Sequence, residues 1–292
     1  MKLKILSLAI LFLANQIHSF SQNNEPLGKG LLWEISGNGL KKKSYILGTI
    51  HLISAQDYYF PKHYTKAVKA TENMVMEIDM TDILGQLEVI KMAKMDNGKQ
   101  LKDLYDEATY NEITHIFRDS FNLDIEMFKD MKPIFVQQQL SATDLFGSDT
   151  KSYEMEIVKM GFGMDKTFGG LETAKEQMMI LDSISLEEQA NMLLESVRNI
   201  KDESVEMKKL LQFYKEQNLD SLNALFEKGD YDLANHENSL LGNRNRKWIS
   251  KMVEYMNSGP TFFAVGAGHL GGDQGVIQLL RKKGYTLKAV LK

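Results

Sequence analysis

The 292-residue chain contains no cysteine. That excludes a disulfide framework as a source of stability and removes thiolates from any metal site. Membrane-length apolar runs are missing too: the stretch from Ile5 to Ala14 falls well short of the ~20 residues that cross a bilayer. Basic charge is outnumbered by acidic charge. Two of the 35 Lys and Arg, Lys2 and Lys4, lie in the first 21 residues, leaving 33 against 39 acidic residues, a net of −6 with histidine neutral. A nucleic-acid partner, whose phosphates need clustered Lys and Arg, is therefore not expected. There is no low-complexity segment or long linker, and a second independent domain is not required.

What is present starts with a leader. Lys2 and Lys4, the short apolar run, and the small residues of Ser19-Phe20-Ser21 read as a secretory signal over residues 1–21. The mature chain, 22–292, is expected to be an exported single α/β domain, periplasmic or secreted, without stable membrane insertion. Its oligomeric state stays open.

Trp33 to Ser36, Gly37-Asn38-Gly39 and Lys43 to Leu47 predict a β-hairpin, because glycines beside asparagine supply the positive φ of tight turns. Tyr64, Ala67, Val68 and Thr71 then follow helical spacing before Met74 to Ile78 resumes as a strand. The same order recurs at the C-terminus: an apolar strand at Thr261 to Val265, a glycine loop at Gly266 to Gly272, a helix face of Val276, Leu279 and Leu280, and alternation from Tyr285 to Leu291. The expected fold is thus α/β, with two similar βαβ-containing halves forming a mainly parallel central sheet. A helical insertion of about 80–258 separates them, with a break at Pro133 and helices at Leu186 to Ile200, Val205 to Tyr214, Leu219 to Phe226 and Trp248 to Met256. Within it, Met160 to Leu171 is glycine-rich and reads as a strand with turns, delivering Glu172 to the sheet.

Each repeated unit ends its first strand in Gly-x-x-His-Leu, at Gly48 to Leu52 and Gly266 to Leu270. Ligands of open α/β sheets bind beyond the carboxyl ends of parallel strands, so His51 and His269 are expected to face one crevice. A single loop histidine is more simply a structural imidazole; two at equivalent positions favour a shared site. His63, His115 and His236 lack that context, and His18 lies in the leader. Glu77 and Asp79, two apart at a strand end, point the same way, and burying them calls for a cation. Glu172, with Glu176 and Gln177 a turn later, reads equally as the acidic start of a helix. Arg244-Asn245-Arg246, taken alone, is a solvated basic turn. Gly163, Asp165 and Lys166 are candidates for the crevice wall or for simple turn residues.

Together, Gly48-Thr49-Ile50-His51, Met76-Glu77-Ile78-Asp79, Gly170-Leu171-Glu172-Thr173 with Glu176-Gln177, Arg244-Asn245 and Gly266-Ala267-Gly268-His269-Leu270 resemble the TraB/GumN family. The resemblance covers about 28–292. It extends to the Tiki membrane proteases and, in fold, to erythromycin esterase and ChaN haem-binding proteins. It implies a metal-dependent hydrolase site and raises Glu172, Arg244 and Asn245 beside His51, Glu77 and His269. The expected cofactor is a divalent zinc, manganese or cobalt ion held by His51, His269 and Glu77 or Glu172. The carboxylate that does not ligate would act as base, Arg244 would stabilise an oxyanion, and the partner would be a peptide or small ester. Two alternatives are metal-free hydrolysis through one histidine, and an exported binding protein that captures haem, a peptide or a signal without turnover.

Overall fold

A computed structural model describes residues 26–146, 149–228 and 241–292. The expected leader over residues 1–21, with His18, and also His236, lie outside the described residues. Eight strands are found among the described residues: β1 (Leu32–Gly37), β2 (Ser44–Thr49), β3 (Ile53–Ser54), β4 (Asn73–Met76), β5 (Thr150–Lys151), β6 (Thr167–Gly170), β7 (Thr261–Gly266) and β8 (Tyr285–Ala289). Among the described residues, eleven α-helices accompany them. They are α1 (Lys62–Lys69), α2 (Ile83–Met92), α3 (Glu107–Phe121), α4 (Pro133–Phe146), α5 (Tyr153–Phe162), α6 (Ala174–Asp182), α7 (Leu186–Arg198), α8 (Ile200–Lys215), α9 (Leu219–Lys228), α10 (Asn243–Ser258) and α11 (Val276–Lys282).

The protein is α/β, built on a six-stranded mixed sheet in the order β6-β4-β7-β2-β1-β8. Strands β6, β4, β7 and β2 run parallel, whereas β1 runs antiparallel to both of its neighbours. The β1–β2 hairpin turns through Gly37, Asn38 and Gly39, all at positive φ, as their small side chains allow. The repeated units interleave rather than dividing the sheet into halves: β4 of the first lies outside β7 of the second, and β8 closes the far edge. That interleaving sets β2 beside β7, with Thr49 opposite Gly266, so both histidine loops leave the sheet as neighbours.

Burial explains why β7 sits at the centre. Its first five residues, Thr261 to Val265, are buried, the unbroken pattern of a strand covered on both faces. Phe263 and Val265 join Trp248, Ile249 and Met252 of α10 and Ile277 and Leu280 of α11 in one core. Phe262 and Ala264 point the other way, into a second core with Tyr64 and Val68 of α1 and Ile157 of α5. A third apolar cluster, including Phe117, Ile125, Val136 and Leu193, belongs to the inserted helices. One boundary differs from expectation: Met160 to Phe162 are the last turn of α5, and only Thr167–Gly170 forms the strand. Ser152 starts that helix by accepting from Met155 N, and this local cap outweighs the turn signal of the glycines. Pro133 opens α4, where a missing N–H costs nothing.

Candidate active site

The carboxyl ends of β4, β6, β7 and β2 converge, and each delivers one charged or titratable side chain. Glu77 follows β4 and Glu172 follows β6. The ladder continues past the strand ends through Leu171 N to Met76 O and Glu172 N to Glu77 O, both 2.9 Å, which sets the two carboxylates side by side. His269 ends the short helical turn after β7, and His51 follows β2. Gly48 makes that approach feasible. A methyl group on it would meet Leu270 Cδ1 at 2.7 Å and Ala267 Cα at 3.1 Å, so only glycine lets the second histidine loop pack on the first.

Arg244, from the first turn of α10, is the hub. Its guanidinium donates to Glu77 Oε2 at 2.6 Å, to Glu172 Oε1 and, through Nε, to both Glu172 oxygens at 3.0 and 3.2 Å. All three side chains are about nine-tenths buried. The expectation of a solvated basic turn therefore fails for Arg244 and Asn245. The helix packs Trp248 into the core, which turns the same face of its first turn inward. Gln177 donates to Glu77 Oε2 at 3.0 Å and to Glu172 Oε1 at 3.2 Å, while Trp248 Nε1 donates to Glu172 Oε2 at 3.1 Å.

The two histidines are held differently. His269 Nδ1 lies 2.6 Å from Asn245 Oδ1, and the Asn245 amide donates to the carbonyls of Gln274 at 2.8 Å and His269 at 3.4 Å. Those two acceptors fix the amide, so its oxygen faces Nδ1, Nδ1 carries the proton and Nε2 carries the lone pair. His51 Nδ1 lies 3.4 Å from Glu154 Oε1. That carboxylate is itself held by Thr49 Oγ1 at 2.7 Å and Ser152 Oγ at 3.1 Å.

Charge follows from this geometry. Burial opposes ionisation of Glu77, but His269, Arg244, His51 and the Gly266 N–H together hold it down at about 2. His269 moves the other way: burial, reinforced by Arg244 and His51 and opposed by Glu77, lowers it to about 3. A neutral His269 supplies no positive charge, so near neutral pH the cations that keep Glu77 ionised are Arg244 and His51. The hydrogen bond to Glu154 raises His51, against its own desolvation. With 71% of that side chain exposed, water screens part of the pull.

Other candidates fall away. Asp79 folds back to accept from Thr81 N and Oγ1 at 2.8 and 2.7 Å. Glu176 closes a capping box with Thr173 at the start of α6. Lys166 bonds the carbonyls of Lys69 and Thr71 at the opposite end of the sheet, so it and its neighbours line no part of this crevice. His63 lies on α1 and His115 pairs with Arg118 on α3. The residue that sequence reasoning missed is Glu154: nothing beyond an acid in the first turn of a helix marks it, and its partner Thr49 is 105 residues away.

Residues 31–289 match the TraB/PrgY/gumN family. The chain belongs to that family. It is similar to Metalloprotease TIKI2 of Danio rerio, 21% identical over 88% of this chain and 60% of the relative, and to the Metalloprotease TIKI homolog of Nematostella vectensis, 21% identical over 85% and 64%. The chain thus spans less than two thirds of the length of these relatives. No solved structure matches it.

Both relatives carry a name that implies a metal, so the TraB/PrgY/gumN residues can be tested for one. Among the described residues, no group of three or more His, Asp or Glu is gathered as a ready metal cluster. The donor chemistry nevertheless fits. Each imidazole has Nδ1 tied to an oxygen, the outer-shell arrangement that presents Nε2 to a metal. His269 Nε2 lies 3.6 Å from Glu77 Oε1 and accepts from Arg244 NH1 at 3.3 Å, a contact that a metal on Nε2 would replace. A methyl group on Gly266 would sit 3.3 Å from Glu77 Oε1, 3.7 Å from His269 Cδ2 and 4.0 Å from His51 Nε2; glycine leaves that cradle open.

Proposed function

We propose that this chain is an exported metal-dependent hydrolase acting on peptide bonds, with His51, His269 and Glu77 as the ligands of one divalent zinc, manganese or cobalt ion. The observation that carries this reading is the cradle at Gly266, where Glu77 Oε1, His51 Nε2 and the Cδ2 edge of His269 meet, with His269 Nε2 3.6 Å from that same carboxylate oxygen. A metal bound there supplies a Lewis acid for the carbonyl and a water acidified toward ~7.

The chain's own residues do the rest. Asn245 fixes the tautomer of His269, and Trp248 stacks on that ring at 4.3 Å between centroids, excluding water from its far side. Glu154 orients His51. Glu172 does not act as the base: its oxygens already accept from Arg244, Gln177 and Trp248, so its role is to position Arg244. The guanidinium helps keep Glu77 ionised, and its NH1, 3.3 Å from His269 Nε2, is directed at the cradle, where it meets an oxyanion. The peptide substrate is suggested by the relatives named metalloproteases, and the basic start and short apolar run within residues 1–21 support export.

The test is metal content by mass spectrometry after exposure to zinc, manganese and cobalt, for wild type and for His51→Ala and His269→Ala, followed by cleavage of a peptide mixture. Near-stoichiometric metal in wild type, lost in both variants, with metal-dependent cleavage, is the expected result. A wild-type chain that takes up no metal overturns the metal assignment. Cleavage that survives metal stripping points to metal-free chemistry.

A further inference from the structure

Directly beside the candidate active site lies a cavity of about 250 Å³ whose walls run from His51 to Glu77. Its lining is mostly apolar. Met76, the last residue of β4, forms one wall; Ile78 and Met80, from the bend that follows, and Leu52, next to His51, form the others. Ser152 and Gln177 complete the lining. The two carboxylates on this surface are already committed: Glu77 to Arg244, Gln177 and Gly266, and Glu154 to Thr49, Ser152 and His51. What the cavity offers a ligand is therefore apolar contact, in which a charged side chain would lose its hydration without a partner.

From this we infer that the cavity is a specificity subsite that takes one unbranched or γ-branched apolar side chain, of the leucine or methionine kind, from the residue flanking the reacting bond. Size argues for a side chain and against a larger guest, because sites for whole drug-sized ligands run from ~300 to ~1,000 Å³. Position argues for the flanking residue, since His51 and Glu77 line the cavity and also turn toward the cradle at Gly266. Two of the four apolar walls are methionines, whose flexible thioethers adapt to side chains of different shape. The inference rests on the hydrolase reading only for the identity of the ligand as a peptide.

The experiment observes the cavity without requiring turnover. The full chain is labelled with methyl-¹³C methionine, and the Met76 and Met80 methyl resonances are assigned through Met76→Leu and Met80→Leu. Blocked tripeptides Gly-Leu-Gly, Gly-Ala-Gly and Gly-Asp-Gly are then titrated in. The leucine peptide is expected to shift both methyls, with saturation at a concentration at least about tenfold lower than for the alanine peptide. The aspartate peptide is expected to leave them in place. Met252 and Met256, in the core on the other face of the sheet, stay unmoved and report an intact fold. Ile78→Asp should abolish the leucine-dependent shift; if that variant does not fold, Met80→Trp, which fills the cavity, replaces it. Unmoved methyls at tens of millimolar leucine peptide, or equal shifts with aspartate, overturn the subsite. Shifts without cleavage of any peptide would sink the hydrolase reading and leave the cavity standing as a pocket for one apolar side chain. Cleavage with no leucine preference and no shifts does the reverse.

Discussion

The two histidine loops share the pattern Gly-x-x-His-Leu, leave adjacent strands and serve one crevice, yet they are opposites. His269 is 4% exposed, stacked on Trp248 and bonded to a neutral amide. The side chain of His51 is 71% exposed and faces a carboxylate. Burial depresses the first imidazole; Glu154 raises the second. The comparison teaches that a repeated motif dictates where a side chain leaves the sheet, whereas its protonation is set by whatever packs against it. One loop is a fixed anchor inside the core, and the other stands at the mouth of the cavity.

That contrast can be sharpened by substitution. The largest effect belongs to the hub behind both loops. Arg244→Met leaves Glu77 and Glu172 buried without their cation and should cost about 3–5 kcal/mol in chemical denaturation, as breaking a buried ion pair does. Next come two changes on the anchored side. Asn245→Ala strands the His269 N–H and should cost about 1–3 kcal/mol by the same measurement, with metal affinity falling as well. Gly48→Ala drives a methyl into Leu270 and Ala267 and should cost about 1–3 kcal/mol through overpacking.

The open side should behave differently. Glu154→Gln removes a charge from a solvent-facing histidine and should change stability by under about 1 kcal/mol. Its metal affinity, followed by competition with a chromophoric chelator, should fall about 10–100-fold. If Glu154→Gln destabilises as much as Asn245→Ala, the two loops are not the anchor and the mouth described above. The smallest stability effect is expected from Gly266→Ala, whose backbone φ of −53° suits any residue. Its melting temperature should stay close to wild type, while metal uptake by mass spectrometry is lost because the methyl fills the cradle. Full metal uptake by Gly266→Ala would remove the cradle from the argument.

Local structure was largely legible. The hairpin at Gly37 to Gly39, the apolar run of β7 and the helical spacing of α7 to α10 reflect backbone chemistry and periodicity that need no partner to be read. Both Gly-x-x-His motifs and Glu77 stood out for the same reason. Arg244 and Asn245 did not, since a first-turn arginine reads as solvated until Trp248 and Met252 commit that helix face to the core. Asp79 and Glu176 looked as good as Glu77 and Glu172, because strand and helix spacing say which way a carboxylate points but not whether Thr81 or Thr173 has already taken it.

By itself, the amino-acid sequence determined the α/β class, the two strand ends that carry histidine, and the absence of thiolate chemistry, because each depends on residue type and short-range order. Only the tertiary structure decided the rest. It interleaved the two units so that β2 meets β7, chose Glu154 as the partner of His51 from 103 positions along the chain, and lodged Arg244 between two carboxylates. Those outcomes depend on which apolar faces bury against one another, a competition among distant segments that no local pattern records.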